Sequence, residues 1–365
     1  MEICKRNETL NASSCGSGAM ILECYIVLSS PYQKTFIAAL CGLVGSLCVL
    51  ENFLVLYLIF SSPRIRRKPS YLFLSSLALA DMLASMIFTC SFVEFHAFQR
   101  INPSKDIFLL KLGGVNASFT ASLGSLLLMA ADRYICILKP SKYKVLVTSR
   151  RALVALVVLW GTTISIAALP LLGWNCCSLG SACSELYPFV DNKYLSSWIA
   201  LVMVLLVSIF YSYMHVLWKA RKHALYMKRH HSQVGQQSTR IRIDIALAKT
   251  LVIVLVVLVI CWSPALALMT YSVFAELDES VKKAFAFCCT LCLVNSMVNP
   301  AIYALRSREL CSSLKDACPC FRRTPRSSDS QPEAESTQKT YPPETICTDT
   351  VVLQHAGTDR VGSRR

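Results

Sequence analysis

Four polar side chains interrupt apolar stretches of the sequence, and together they suit a small, hard cation. They are Asp81, Ser122, Asn295 and Ser296. Carboxylate, hydroxyl and amide oxygens are the ligands that such cations prefer. The alternative is a set of hydrogen bonds between packed helices, which explains a neutral Asn52 but leaves an ionised Asp81 without a counter-charge. We therefore predict a sodium site at these four residues, and the sequence indicates no other metal and no cofactor.

The tripeptide Asp132-Arg133-Tyr134 follows a further apolar stretch. An arginine in this position can extend towards lipid headgroups, or the adjacent aspartate can hold it. Asp244 is a second possible partner from a distant part of the chain. Because each charged group also has a well-solvated alternative, such an ion pair can act as a lock with two states. These residues are therefore candidates for a switch.

Two apolar stretches contain a proline beside an aromatic residue. They are Cys261-Trp262-Ser263-Pro264 and Asn299-Pro300-Ala301-Ile302-Tyr303. Proline removes a backbone hydrogen bond and kinks a helix. An indole next to such a kink can couple the packing of a ligand to helix movement, and Tyr303 can rotate beyond the second kink. Core packing around tolerated prolines is the alternative.

The composition places these residues in a membrane. The 365 residues are 54% hydrophobic and 16% charged, with a mean hydropathy of +0.47. Soluble domains carry about 25% charged residues. The net charge of +15 does not indicate nucleic acid, because the basic residues form short clusters between apolar runs. Anionic lipid headgroups and an acidic partner surface explain those clusters better.

Seven apolar runs are long enough to cross a bilayer as helices, which takes about 20 residues each. We name them spans one to seven, and they cover residues 35–60, 71–97, 107–138, 152–173, 193–218, 246–273 and 283–304. The predicted fold is an all-α membrane protein, a seven-transmembrane helix bundle with a short amphipathic eighth helix. The predicted parts are an extracellular N-terminal segment (1–34), the bundle (35–305), an amphipathic juxtamembrane helix (306–317) and a disordered cytoplasmic tail (318–365).

The distribution of Lys and Arg predicts that the N-terminus is outside the cell and the C-terminus in the cytosol. Basic clusters occupy the connections after spans one, three and five, whereas the other connections carry few basic residues. Basic connections face the cytoplasm in most membrane proteins. The glycosylation sequons at Asn7 and Asn11 agree with an outer N-terminus. No signal peptide is evident, so we expect span one to carry the targeting signal.

The motifs occur in order on successive spans, and together they resemble rhodopsin-like G-protein-coupled receptors. Asn52 in span one, Leu79-Ala80-Asp81 in span two and Trp160 in span four complete the set, so the resemblance covers about residues 35–317. It implies a receptor in the plasma membrane, not an enzyme, that opens its cytoplasmic face to a G protein. The residues that match the family's switch and coupling positions are Asp132, Arg133, Tyr134, Tyr213, Asp244, Pro264, Asn299, Pro300 and Tyr303.

Longer stretches are similar to cannabinoid receptors within that family. These stretches are residues 66–73, 90–96, 119–122, 215–220 and 282–288. The short N-terminal segment favours the type-two branch. Span five lacks proline and the outer end of span three lacks cysteine, which is typical of these receptors. The resemblance implies a disulfide inside the outer loop after span four, from Cys176 or Cys177 to Cys183, and the family pattern favours Cys176.

The resemblance also implies an aromatic ligand pocket. Phe88, Phe92 and Phe95 recur at i, i+4 and i+7 and share one face of span two, although any one of them can instead face lipid or core. Val115 stands where receptors for amines carry Asp, so an ammonium ligand has no counter-ion. The matching ligand-binding residues are Phe88, Phe92, Phe95, His96, Lys111, Val115, Asn116, Phe119, Tyr187, Tyr194, Trp198, Trp262, Phe285 and Cys289. Aromatic walls with few charges favour an apolar ligand, and the family's ligands are neutral arachidonoyl amides and esters and plant cannabinoids.

Two of these positions depart from the family pattern. Thr is more usual at Asn116 and Ser at Cys289, and a thiol at 289 is a poorer donor to a ligand headgroup than a hydroxyl. These departures affect the agonist preference that is expected of this chain.

By resemblance, the expected partners are a lipid agonist, membrane lipid, and an inhibitory heterotrimeric G protein that lowers adenylate cyclase activity. Arrestin and receptor kinases are expected to act on the tail, palmitoylation to modify Cys311, Cys318 or Cys320, and the receptor to serve the inflammatory response. A lysophospholipid receptor is the nearest alternative, but those receptors pair Arg with Glu where this chain has Lys111-Leu112. A retinal photoprotein would need a lysine in span seven, and residues 284–305 contain none.

Overall fold

The computed structural model describes residues 25, 28, 30–96, 104–230 and 235–306, with the backbone alone at some positions, among them Phe95, His96, Asp244 and Tyr303. Within these ranges the chain is helical, and seven helices are long and apolar enough to cross a membrane. This confirms the predicted fold class of a seven-helix bundle. The predicted helix at 306–317 beyond Arg306, the tail and the two sequons lie outside the described residues.

The seven spans lie where they were predicted, and five of them begin and end within five residues of the predicted bounds. Their helices are Pro31–Ser61, Pro69–His96, Lys105–Leu138, Ser149–Ala168, Asn192–His230, Gly235–Phe274 and Glu279–Arg306. Spans five and six continue beyond their apolar runs, into the basic segment that connects them. Three short helices lie in other connections, at Pro63–Arg66, Pro140–Leu146 and Cys176–Leu179.

Span four ends at Ala168, earlier than the predicted 173. Pro170 has no N–H to donate to the carbonyl of Ile166, so the α-helical pattern cannot continue through it. The N–H of Leu169 donates to that carbonyl instead, at 3.3 Å, and the chain turns away. At the other end of span four, the side chain of Thr148 accepts a hydrogen bond from the N–H of Arg151 and caps the helix.

Span three is the centre of the bundle. It packs against spans two, four and five, while spans five, six and seven follow one another and span seven closes on span one. The outward faces remain apolar, as Leu43, Phe53 and Val157 illustrate by being more than half exposed. Such faces need a lipid solvent, because water would not tolerate so large an apolar surface. The bundle therefore has two ends and a buried axis on which a site can form.

The two ends of the helix bundle differ in the residues that they carry. The connection between spans four and five, residues 169–191, contains Cys176 and Cys183 and lies at the end that we call the disulfide end. Asp132 and Arg133 lie near the last turn of span three, at the opposite end, which we call the Arg133 end.

Candidate ligand cavity and switch

The connection after span four is folded tightly and covers the disulfide end. Cys176 and Cys183 form a disulfide with Cα atoms 5.1 Å apart, which resolves the choice between Cys176 and Cys177. The N–H of Cys176 donates to the carbonyl of Phe189, and the N–H of Ser184 to that of Val190. Phe189 is fully buried with φ 64°, a left-handed conformation that is rare for a bulky residue and must be held by its surroundings. The loop is thus a rigid cover.

Beneath this cover lies a cavity between the spans, and its walls are largely aromatic and aliphatic. Ten of the predicted ligand residues line it: Phe88, Phe92, Lys111, Val115, Asn116, Phe119, Tyr187, Trp198, Trp262 and Phe285. Cys289, an eleventh, lines it as well. The rings of Phe88 and Phe92 stack with centroids 5.0 Å apart, so the helical spacing on span two does produce a continuous aromatic wall.

Three predicted ligand residues stand apart from this set. Tyr194 is not among the lining residues; its ring packs edge-on against Trp174 at 5.8 Å, and its hydroxyl donates to the carbonyl of Ile166. It therefore fixes the cover to span five. The side chains of Phe95 and His96 lie outside the described part of the chain.

The cavity also has lining residues that the sequence did not single out. They are Tyr25, Ser91, Glu94, Phe108, Leu112, Glu185, Leu186, Pro188, Ala265, Met269, Lys282, Ala286 and Cys292. Glu185, Leu186 and Pro188 among them come shortly after Cys183. The predicted disulfide is therefore the sequence signal that could have identified this segment. Tyr25 precedes span one and has no helical spacing that could have identified it.

The floor of the cavity is an aromatic contact between spans three and six. The rings of Phe119 and Trp262 meet edge to face, with centroids 5.1 Å apart at 87°. Both residues are buried. The indole Nε1 of Trp262 has no hydrogen-bond partner among the described residues, although it is buried. A ligand that reaches the floor therefore meets a ring pair and, among the described residues, an unpaired N–H donor two residues before Pro264.

Tyr187 and Tyr25 form polar contacts at the top of the cavity. The ring of Tyr187 meets Phe285 edge to face at 5.8 Å, and its hydroxyl lies 3.6 Å from the sulfur of Met269. Burial raises the pKa of Tyr187, so this phenol is neutral. Tyr25 donates to the carbonyl of Ser184 at 2.7 Å, which joins the segment before span one to the cover.

Two ion pairs also line the disulfide end of the cavity. The ammonium of Lys111 donates to a carboxylate oxygen of Glu94 at 2.6 Å. Lys282 lies 3.9 Å from Glu185, which also accepts a hydrogen bond from the N–H of Leu277 at 2.7 Å. Burial, and then the charge of Glu185, raise the pKa of the nearby Tyr25 phenol. Lys111 was predicted as a lining residue, but its partner was not.

Halfway along the bundle, Asp81 is fully buried at the meeting point of three spans. Its Oδ1 accepts hydrogen bonds from Ser122 at 2.7 Å and Ser296 at 3.1 Å, and its Oδ2 accepts one from Asn299 at 3.0 Å. The predicted residue Asn295 is also buried, and its Oδ1 has no partner among the described residues. Asp81 thus contacts two of the other three predicted cation ligands, Ser122 and Ser296, and the fourth, Asn295, has a buried oxygen without a partner among the described residues. Asn299 is a neighbour that was expected in the switch instead.

At the Arg133 end, Asp132 holds three donors. Its Oδ2 accepts from Arg133 at 2.7 Å and from Ser70 at 2.9 Å, and its Oδ1 accepts from Tyr143 at 2.7 Å. Arg133 therefore faces Asp132 rather than lipid headgroups. Burial, and then the charge of Asp132, raise the pKa of Tyr143 to about 12, which keeps the phenol a donor. The side chain of Asp244, the second predicted partner, lies outside the described residues.

The remaining switch residues lie on span three and on spans five to seven. Tyr213 is buried and donates to the carbonyl of Leu126 at 3.3 Å, which links spans five and three. Pro264 and Pro300 lie inside long helices, as predicted. Tyr134 contacts His215 of span five with ring centroids 5.3 Å apart. The side chain of Tyr303 is outside the described part.

Comparison with known proteins identifies the family. Residues 51–303 match the family model of the 7 transmembrane receptor (rhodopsin family). The chain is 52% identical to cannabinoid receptor 2 of Homo sapiens over 313 residues, which are 86% of each protein. It is 48% identical to cannabinoid receptor 2 of Rattus norvegicus, over 93% of this chain and 96% of that one. The chain belongs to the cannabinoid receptors of the rhodopsin family. It is also 47% identical to cannabinoid receptor 1 of Xenopus laevis, over 88% of this chain and 71% of that receptor.

Family membership accounts for both the cavity and the Asp132–Arg133 pair. A rhodopsin-family receptor takes a small-molecule ligand and a G protein as partners, and it is not an enzyme. In this cannabinoid receptor the cavity and the Asp132–Arg133 pair lie at opposite ends of spans that share one core. It is a multi-pass protein of the plasma membrane.

Proposed function

We propose that this receptor binds neutral lipid endocannabinoids, the arachidonoyl amides and esters, and signals through an inhibitory G protein that lowers adenylate cyclase activity. The observation that carries the proposal is the cavity: its walls are aromatic and aliphatic, and the four charged side chains among its described lining residues form two internal pairs. A long acyl chain gains free energy by burial against such walls, since each buried CH₂ contributes roughly 0.8 kcal/mol. The relatives are named cannabinoid receptors, which supports a ligand of the cannabinoid class.

The membrane orientation is part of this proposal. The cavity end faces outside and the Arg133 end faces the cytosol, as the basic connections favour. The lipid enters from the outer side or through the bilayer, and Arg133 meets the G protein. An N-terminal epitope tag should be accessible to antibody on intact cells, and glycosidase should shift the mobility of a receptor modified at Asn7 and Asn11. A tag that is reached only after permeabilisation would reverse the orientation.

A sodium ion is the proposed allosteric ligand of the inactive state. The donor set fits, because one carboxylate, two hydroxyls and the unsatisfied Oδ1 of Asn295 are all oxygens. A bound cation would compensate the charge of Asp81. The residues that would hold it are Asp81, Ser122, Asn295 and Ser296.

The segment after Pro319 is the proposed site of regulation by receptor kinases and arrestin. It is rich in Ser and Thr, and phosphates there would add negative charge opposite a basic partner surface. Truncation after Cys320 should leave G-protein signalling intact and slow agonist-induced internalisation. Internalisation at the wild-type rate would remove the tail from this role.

The ligand class can be tested by displacement of a radiolabelled cannabinoid from membranes that contain the receptor. Arachidonoyl glycerol should displace the label and lower cyclic AMP in cells, whereas sphingosine phosphate should do neither. Displacement by sphingosine phosphate with no effect of arachidonoyl glycerol would favour the lysophospholipid alternative. Pertussis toxin, which uncouples inhibitory G proteins, should abolish the cyclic AMP response.

A further inference from the structure

Among the described residues that line the cavity, four are charged, and the tighter of their two pairs joins spans two and three. These residues are Glu94, Lys111, Glu185 and Lys282. The formal charge that this lining presents is therefore zero. Lys111 and Glu94 are separated by 2.6 Å, a charge-assisted hydrogen bond, and each side chain is about one-third exposed. Lys282 and Glu185 are 3.9 Å apart.

The position of Lys111 makes its charge important for ligand choice. It lies one helical turn from Val115, on the face of span three that carries Val115 and Phe119 into the cavity. An unpaired ammonium beside apolar walls would be a strong site for a carboxylate or phosphate at the end of an acyl chain. A paired ammonium is different, because an anionic headgroup must compete with Glu94 for Lys111 and is repelled by that carboxylate.

A neutral headgroup avoids this conflict. An ammonium has three N–H donors, of which Glu94 takes one in this geometry. A carbonyl or hydroxyl oxygen can accept another while the ion pair stays intact. The pair thus admits neutral lipids and penalises lipids that differ from them by one negative charge.

We propose that Glu94 determines the specificity of the cavity for neutral lipids, by pairing with Lys111 so that fatty-acid carboxylates are rejected. Glu94 acts through Lys111 and needs no contact with the ligand itself. This inference rests on the proposed function, since it explains why a lipid receptor with a lysine in its ligand cavity selects neutral ligands. Removal of the Glu94 charge, with Lys111 retained, converts the cavity into one that also binds anionic lipids.

The test uses the full-length receptor in membranes and two radiolabelled probes with the same acyl chain, arachidonate and arachidonoyl ethanolamide. Glu94→Gln keeps the shape and an acceptor but removes the charge. Its affinity for arachidonate should rise at least tenfold, while its affinity for the ethanolamide changes less than threefold. Unchanged arachidonate affinity in a variant that still binds the ethanolamide would overturn the inference.

Two further variants show whether the effect passes through Lys111. The double variant Glu94→Gln with Lys111→Met should lose the gained affinity for arachidonate. The exchanged pair, Glu94→Lys with Lys111→Glu, restores an ion pair and should reject arachidonate as the wild type does. If Glu94→Gln does not reach the membrane, the exchanged pair still tests the proposal. Strong arachidonate binding by a folded receptor with the exchanged pair would contradict the assigned role of Glu94.

Asp106→Asn is the matched control, since it removes a carboxylate at the same end of span three, outside the described lining of the cavity, and leaves Lys111 paired. It should change arachidonate affinity less than threefold. An equal gain in Glu94→Gln and Asp106→Asn would mean that the overall charge at this end of the bundle selects the ligand, and Glu94 would lose its assigned role. If the wild type binds no ethanolamide, the proposed function fails, and the arachidonate affinity of Glu94→Gln alone then decides this inference.

Discussion

At the scale of single residues, the contact between Phe119 and Trp262 connects the cavity floor to the part of span six that contains Pro264. Edge-to-face aromatic pairs contribute roughly 0.5–1.5 kcal/mol beyond the burial of their area. A difference of about 1.4 kcal/mol changes an equilibrium tenfold. The free energy of one such ring contact is therefore large enough to shift the populations of two receptor states, provided that the contact exists in only one of them.

Phe119→Ala should raise basal signalling several-fold. The substitution removes the ring that holds Trp262 at 5.1 Å, so the state described here loses stability relative to one in which span six has moved. Basal nucleotide exchange on the G protein, normalised to surface expression, measures the effect. A variant that binds ligand with wild-type basal activity would identify the pair as core packing only.

Arg133→Ala should keep ligand binding and lose signalling, because Arg133 lies at the opposite end from the cavity, and we expect it to leave Asp132 and contact the G protein. The double variant Phe119→Ala with Arg133→Ala should be silent as well, since the arginine acts after the aromatic pair. The same exchange assay measures both. Basal activity in the double variant would show that the two residues act on separate paths.

At the scale of elements, the close approach of spans one and two depends on Gly45. A Cβ at this position would lie 2.0 Å from Oγ1 and 2.9 Å from Cβ of Thr89, so the helices cannot pack this closely around any larger residue. Gly42, one turn earlier, has nothing within 4 Å of such a Cβ. Small residues allow helix backbones to approach in a membrane, where packing rather than water drives association.

Gly45→Ala should destabilise the bundle by roughly 1–3 kcal/mol, which is the usual cost of overpacking. Thermal denaturation in detergent with a bound ligand measures the loss. Gly42→Ala is the matched control, because it makes the same gain in helix propensity without the collision, and it should be neutral or slightly stabilising. Equal melting temperatures for the two variants would show that spans one and two separate easily.

The cover at the disulfide end depends on the bond between Cys176 and Cys183. Cys183→Ser should reduce surface expression or abolish ligand binding, because the loop that carries Glu185 and Tyr187 into the cavity then loses its closure. Saturation binding on intact cells measures both quantities. Cys90→Ser is the control, since Cys90 is exposed and free; normal binding by Cys183→Ser would make the bond dispensable.

At the scale of the whole molecule, Asp81 lies between the cavity and the Arg133 end and accepts hydrogen bonds from spans three and seven. A group that three spans share can respond to a movement of any of them. A ligand changes the balance between two states only by its different affinity for each, and a shift from 1:99 to 99:1 takes roughly 5.5 kcal/mol. Sodium and agonist would oppose each other if sodium binds the closed state alone.

Sodium should therefore lower agonist affinity in the wild type, and Asp81→Asn should remove that effect. The amide of asparagine has the shape of the aspartate side chain but carries no negative charge to balance that of a cation. Agonist displacement curves in sodium and in a bulky organic cation at equal ionic strength measure the difference. An equal sodium response in both receptors would leave Asp81 with a packing role.

The sequence by itself determined the seven spans, the place of the two prolines and the two aromatic residues of span two, Phe88 and Phe92, that line the cavity. These follow from apolar run length, from the missing N–H of proline and from helical spacing, all of which are local. The end of span four was placed too late, because an apolar run continues through Pro170 after the helix has ended.

Only the tertiary structure decided which cysteine forms the disulfide with Cys183. It placed Tyr194 against the loop that covers the cavity and Phe108 in the cavity wall. It also showed that Tyr143 donates a hydrogen bond to Asp132. It also decided that Lys111 is paired with Glu94. The physical reason is the solvent. In water, the hydrophobic side of a helix marks its buried face, but in lipid both faces are apolar. The rotation of each helix then depends on side-chain packing and polar contacts with its neighbours, which lie far away along the chain.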